Sequence, residues 1–144
     1  VDAYNLMSVR SICSLGAHDL ERLALPIQLR LLQGSEEFIP MGSQLEEPCS
    51  AGEFAYVDSH ERVICRLDVR QAEFSKIGAD SENVLLIIGS TSALGTSRLE
   101  TLFSESANLI ERYCGGTSEI VHFPPELALG REDHDQLPGE DSRG

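Results

Sequence analysis

Between positions 66 and 73 the chain carries Arg66, Asp68, Arg70, Gln71 and Glu73, two cations, two carboxylates and an amide within eight positions. The preceding Val63-Ile64-Cys65 is apolar and reads as a strand, so the cluster falls at a strand end. Arg66 and Asp68 share a face if the extended conformation continues. A guanidinium grips a carboxylate or phosphate through two parallel hydrogen bonds. Glu73 would meet an ammonium or order a water, and Gln71 would orient that water. The bland alternative is an arginine–carboxylate network that anchors the strand end to a loop.

Other polar residues admit the same two readings. Asn5 and Ser8 lie one helical turn apart with Tyr4 beside them, and on their own read as a helix cap and a satisfied buried amide. Asp2 reads as a first-turn carboxylate favoured by the helix dipole. Glu36-Glu37 reads as a solvated turn before an apolar stretch, with a pocket carboxylate as the alternative. His18-Asp19 has the form of a base and its orienting partner, although Asp19 as a cap for the following turn is the simpler reading. Cys13, Cys49, Cys65 and Cys114 are too scattered for a zinc knuckle or a redox pair, and Cys65 reads as core. The four histidines have no metal-binding spacing either, so the expectation is free thiols, no metal and no cofactor.

Twenty-four acids against ten Arg and one Lys leave a net charge of −13 over 144 residues. That sign repels polyanions at long range, against the usual pattern of a nucleic-acid binder. The longest apolar run, Val84 to Ile88, falls far short of the roughly 20 residues that a membrane span needs. No signal peptide is visible ahead of it, which sets the expectation of a cytoplasmic protein without membrane contact.

The elements that must position these residues follow from periodicity. Asp2 to Leu15 reads as a helix with Leu6, Val9, Ile12 and Cys13 as its stripe and Gly16 as its stop. A short turn or helical piece at 18–21 precedes an alternating strand at 27–31 and a short second strand or extended piece at 37–41. The runs 54–58 and 63–68 form a hairpin, and 84–88 reads as a strand buried on both faces. Ser97 to Glu100 has the form of a capping box opening a helix that ends at Gly115-Gly116, and 120–123 reads as a last strand. Residues 125–144 hold six acids and two Arg without periodicity and read as an acidic disordered tail. The expected fold is α+β, a mixed and mostly antiparallel sheet with helices near both ends, in one domain over 1–124.

The succession of residues carries a resemblance. Val1-Asp2-Ala3-Tyr4-Asn5, Ser8, and Gly16-Ala17-His18-Asp19-Leu20 open it. Glu36 to Gly42, Gly52 to Asp58 and Cys65 to Glu73 continue it, and Asn83 to Gly89 with Tyr113-Cys114-Gly115-Gly116 close it. The chain resembles the B3/B4 domain of the phenylalanyl-tRNA synthetase β subunit, and more closely the freestanding B3/B4-domain proteins, from Val1 to about Phe123.

The resemblance implies a tRNA-editing fold. In the synthetase this domain hydrolyses tyrosine misattached to phenylalanine tRNA, and freestanding members look suited to trans-editing, as aminoacyl-tRNA hydrolases. The implied partners are tRNA and the amino-acid moiety it carries. If the charged cluster is an editing site, its own chemistry makes Glu73, Arg66 and Gln71 the expected catalytic residues and Asp68 and Arg70 substrate-binding ones, while the resemblance turns Asn5 and Ser8, with Tyr4 beside them, toward the same substrate. Freestanding relatives carry a helical lead-in that is missing ahead of Val1, which leaves a separate N-terminal segment or a homodimer as a possible completion. The synthetase's pocket His aligns with Gly16 here, and its Gly-rich stretch with the charged 66–71. The alternative is a non-catalytic module on the same fold that binds an amino-acid-like ligand, an RNA or a protein.

Overall fold

The computed structural model describes residues 2–67, 70–89 and 95–121. Helix α1 (Asp2–Ser11) leads into strand β1 (Ser14–Asp19) and a single 3-10 turn at Leu20–Arg22. Strands β2 (Gln28–Leu31), β3 (Phe54–Val57), β4 (Val63–Arg66) and β5 (Arg70–Gln71) follow, then β6 (Val84–Gly89) and helix α2 (Thr96–Cys114). The fold is α+β, as expected. Its strands form two sheets: a four-stranded antiparallel meander in the order β2-β3-β4-β5, and a two-stranded antiparallel ribbon of β1 and β6.

The first helix ends earlier than its apolar spacing predicts. Ser11 Oγ donates to Met7 O at 2.7 Å and accepts from Cys13 N at 3.3 Å, so its hydroxyl competes for the backbone of the last turn. Ile12 then adopts φ +57°, and the chain leaves as β1 with Leu15 opposite Ile88 and Gly16 opposite Ile87. The expected stripe is also turned around. Met7 is the buried residue of α1, while Leu6, Val9 and Ile12 are exposed.

Three other expectations need correction. Among the described residues Val84 to Gly89 pairs with β1 alone and is only partly buried, so there its apolar run marks the rib of a ribbon and not the middle of a sheet. Residues 37–41, by contrast, take the extended form left open for them, with isolated bridges from Glu37 to Arg62 and from Pro40 to Ala72. Helix α2 starts from Gly95 with no side-chain cap, so Ser97 and Glu100 form no capping box. The last strand is absent over the described Ile120 and Val121; His122, Phe123 and the tail lie outside the described residues.

Alternation places Ala55 and Arg66, and Arg66 and Arg70, directly opposite one another, and sets Tyr56, Cys65 and Gln71 on the other face. Loop 32–53 folds over the meander and builds the main core from Leu32, Phe38, Cys49, Ala55, Val57, Val63 and Ala72. A second, smaller core joins Met7, Cys13 and Leu102 with the partly buried Leu15, Ile88 and Leu109 between helices and ribbon. The two are stitched by the backbone bond from Asp19 N to Ser75 O, 2.9 Å. No helix among the described residues is long and apolar enough to cross a membrane.

Candidate functional site

Strand β5 and the turn after it supply the centre of the site. Its backbone is fixed by Met41 N donating to Gln71 O and Glu73 N donating to Ile39 O, each 2.8 Å, which clamp loop 39–42 against the strand. Gly42 occupies φ +83°, a conformation that favours glycine, and aims its N–H at Glu73 Oε2, 2.8 Å away. Glu73 also pairs with Lys76. The Lys76 ammonium first, and the Gly42 amide second, hold the Glu73 carboxyl below the usual range.

Two neighbouring clefts open on either side of this Glu73–Gly42 bond and share Ser43. One, of about 320 Å³, is polar and lined by Met41, Gly42, Glu47, Arg70 and Gln71. Arg70 Nη1 donates to Glu47 Oε1 across it at 2.7 Å, both side chains being substantially exposed. The other, of about 290 Å³, is lined by Glu37, Ile39, Gln44, Arg62, Glu73 and Phe74. Arg62 lies 4.0 Å above the Phe74 ring and is held there by Asp58, whose buried carboxylate accepts its Nη2 at 2.6 Å.

Behind Gln71 lies a residue whose role the sequence left open. His18 is buried on β1, with Nδ1 3.0 Å from Ser75 Oγ and 3.3 Å from Gln71 Nε2. Because Gln71 Nε2 donates to Ala17 O at 2.8 Å, it is the NH₂ of the amide that faces the imidazole, and Nδ1 accepts. The ring proton then sits on Nε2, which is buried without a hydrogen-bond partner among the described residues. Burial lowers the His18 pKa to about 4, so the ring is neutral. No spacing signal could have found this group, since Gln71 and Ser75 reach His18 across 53 and 57 positions. Asp19 is a cap, accepting from Glu21 N and from Ser81 Oγ, and not a partner of the imidazole.

The residues singled out from the sequence separate into three places. Arg70 and Gln71 line the polar cleft, and Glu73 the neighbouring one. Arg66 makes a two-point contact with Glu53, lies 5.3 Å from the Phe38 ring centroid, and lines neither cleft. Tyr4, Asn5 and Ser8 sit on α1: Asn5 is exposed, Ser8 Oγ donates to Cys13 O at 2.6 Å, and the Tyr4 hydroxyl pKa is raised by burial and by Asp2. Asp68 lies outside the described residues. Glu36 proved to be no solvated turn. It is buried, and although burial pushes its pKa up, the Gln33 and Gly34 amides and Arg30 prevail and hold it at about 2. All four cysteines are free.

No curated protein sequence matches this chain. Among solved structures it is similar to an N-terminal fragment of the phenylalanyl-tRNA synthetase β-subunit from Pyrococcus horikoshii, with a TM-score of 0.55 and 16% identity over 72% of this chain. The likeness spans 39% of that fragment's length and concerns the fold. The family model of the B3/4 domain matches residues 1–118. The antiparallel meander, the ribbon and the flanking helices are therefore one member's version of a shared plan, and this chain belongs to the B3/4 domain family.

Proposed function

We propose that the chain hydrolyses the ester of misacylated tRNA in trans, with the Arg70–Gln71 cleft as its site. The observation that carries this reading is the double placement of Gln71, on the cleft wall and against a buried neutral imidazole. Its Nε2 is committed to Ala17 O and His18, so Oε1 is the amide atom left to accept a hydrogen from a water. That water would attack the ester carbonyl as the carbon–oxygen bond to the ribose breaks, and its proton would pass to the departing ribose oxygen. Arg70, freed from Glu47, would take a phosphate of the acceptor end.

The test is hydrolysis of a panel of misacylated tRNAs by the full chain, tyrosyl-tRNA for phenylalanine first. The expected result is a rate above the spontaneous one that falls about 100-fold in Gln71→Ala, with the far-ultraviolet circular dichroism unchanged. No hydrolysis of any substrate by the folded chain would overturn it. A second reading, a binding module without chemistry, is favoured by the ion pairs that already occupy Arg66, Arg70 and Glu73, with Glu53, Glu47 and Lys76. The charge of −13, which opposes a polyanion, points the same way.

A further inference from the structure

The second cleft differs in chemistry from the first. Ile39 and Phe74 give it an apolar wall, and its two acids are Glu37 and Glu73. The Arg62 guanidinium beside them is neutralised by the buried Asp58, and Lys76 balances only one of the two rim carboxylates. Glu37 is exposed and its side chain has no hydrogen-bond or ion-pair partner among the described residues. Its backbone, by contrast, is pinned, with N–H donating to Glu61 O at 3.2 Å and O accepting from Val63 N at 2.9 Å. Its carboxylate is thus unpaired among the described residues and rises from a held backbone beside an apolar wall. At about 290 Å³ the space lies just below the roughly 300–1,000 Å³ typical of drug-sized ligands.

We propose that this cleft is an α-amino-acid subsite that takes a free ammonium on Glu37 and an uncharged, apolar side chain against Ile39 and Phe74. The inference rests on the hydrolase reading and deepens it, because the cleft adjoins the Arg70–Gln71 cleft through Ser43 and the Glu73–Gly42 bond. It assigns the selected substrates as esters of apolar amino acids with an unblocked amino group. Acidic amino acids are rejected by the unbalanced Glu37 carboxylate, and N-blocked ones lack the cation that Glu37 requires.

The probes are leucinamide, N-acetyl-leucinamide and glutamate α-amide, titrated into the full chain by calorimetry and by chemical-shift perturbation. Leucinamide is expected to bind, with shifts at Ile39, Phe74 and Glu37, and N-acetylation to weaken it about tenfold, as loss of one charge-assisted contact does. Glu37→Gln should remove that difference while leaving the fold intact, because the side chain has no hydrogen-bond or ion-pair partner among the described residues. Equal binding of blocked and unblocked amides, no binding of leucinamide at millimolar concentration, or shifts centred elsewhere would overturn the proposal. Binding that follows the expected pattern without hydrolysis of any tRNA would leave the subsite standing and remove the hydrolase reading alone.

Discussion

The meander and the ribbon are built to different standards. The meander buries seven apolar residues in one continuous cluster and seals its edges with buried carboxylates. Glu36 receives backbone bonds from Gln33, Gly34 and Ser35 besides the Arg30 pair. Asp58 receives the amides of Ala24, His60 and Arg62 besides the Arg62 guanidinium. The ribbon and its helices share a core of three buried apolar residues and leave Leu6, Val9 and Ile12 in the open. The difference teaches which site residues are held firmly. Arg70, Gln71 and Glu73 hang from the well-buried unit, whereas Asn5 stands exposed on a helix that buries one side chain.

The largest effect expected from this contrast is in core truncation. Phe38 is 1% exposed at the centre of the larger cluster, and Phe38→Ala should lower stability by about 4 kcal/mol. Met7→Ala, at the centre of the smaller cluster, should lower it by about 2 kcal/mol, because its thin surroundings can close over the gap. Urea unfolding of both variants decides the matter. Equal losses would show that the two units are packed alike and would break the comparison.

Acid should separate the units next. His18 joins them, and its folded pKa of about 4 lies below the unfolded value near 6.5. In that interval the unfolded chain binds more protons, so stability falls as pH drops from about 6.5 to about 4, by up to about 3 kcal/mol. Glu36, at about 2 in the folded state, contributes stability that is fully present above its unfolded value near 4.5 and lost as pH falls toward 2. The urea midpoint should therefore show two acid limbs, the upper from the junction and the lower from the meander. His18→Gln should flatten the upper limb only. A single limb beginning below pH 4.5 in both proteins would mean that the imidazole titrates normally.

The same contrast explains what could be read from the sequence. The alternation at 27–31 and the paired runs at 54–58 and 63–68 are local signals, and the meander follows them closely. At the first helix the local signal misled, because a hydroxyl at Ser11 and the pairing of 14–19 with 84–89 override a continuous apolar period. Val84 to Ile88 looked doubly buried since composition does not report how many neighbours a strand has. Within the site, Arg70, Gln71 and Glu73 could be found as a charged run after a strand. The fates of their partners could not: Glu47 and Gly42 arrive from a loop more than twenty residues upstream, and His18 from another sheet. Glu36 and Glu37 are adjacent and chemically alike, yet backbone geometry buries one and leaves the other on a cleft wall.

The smallest expected effect concerns the loose unit alone. Ile12 is 93% exposed and adopts φ +57°, where a β-branched L-residue is strained by about 1–2 kcal/mol. Glycine removes that strain and loses about 0.5–1 kcal/mol of chain entropy in return, so Ile12→Gly should raise stability by about 0.5–1 kcal/mol. Nothing is given up in packing, since the Ile12 side chain contributes to neither core. Val9→Ser, on the same exposed side of α1, should change stability by less than about 0.5 kcal/mol, which separates relief of backbone strain from mere loss of surface apolar area. A stabilised Ile12→Gly beside a neutral Val9→Ser would place the weakness of this unit in the turn that ends α1. A destabilised Ile12→Gly would mean that Ile12 is covered in solution and that the unit is less open than its exposed side chains indicate.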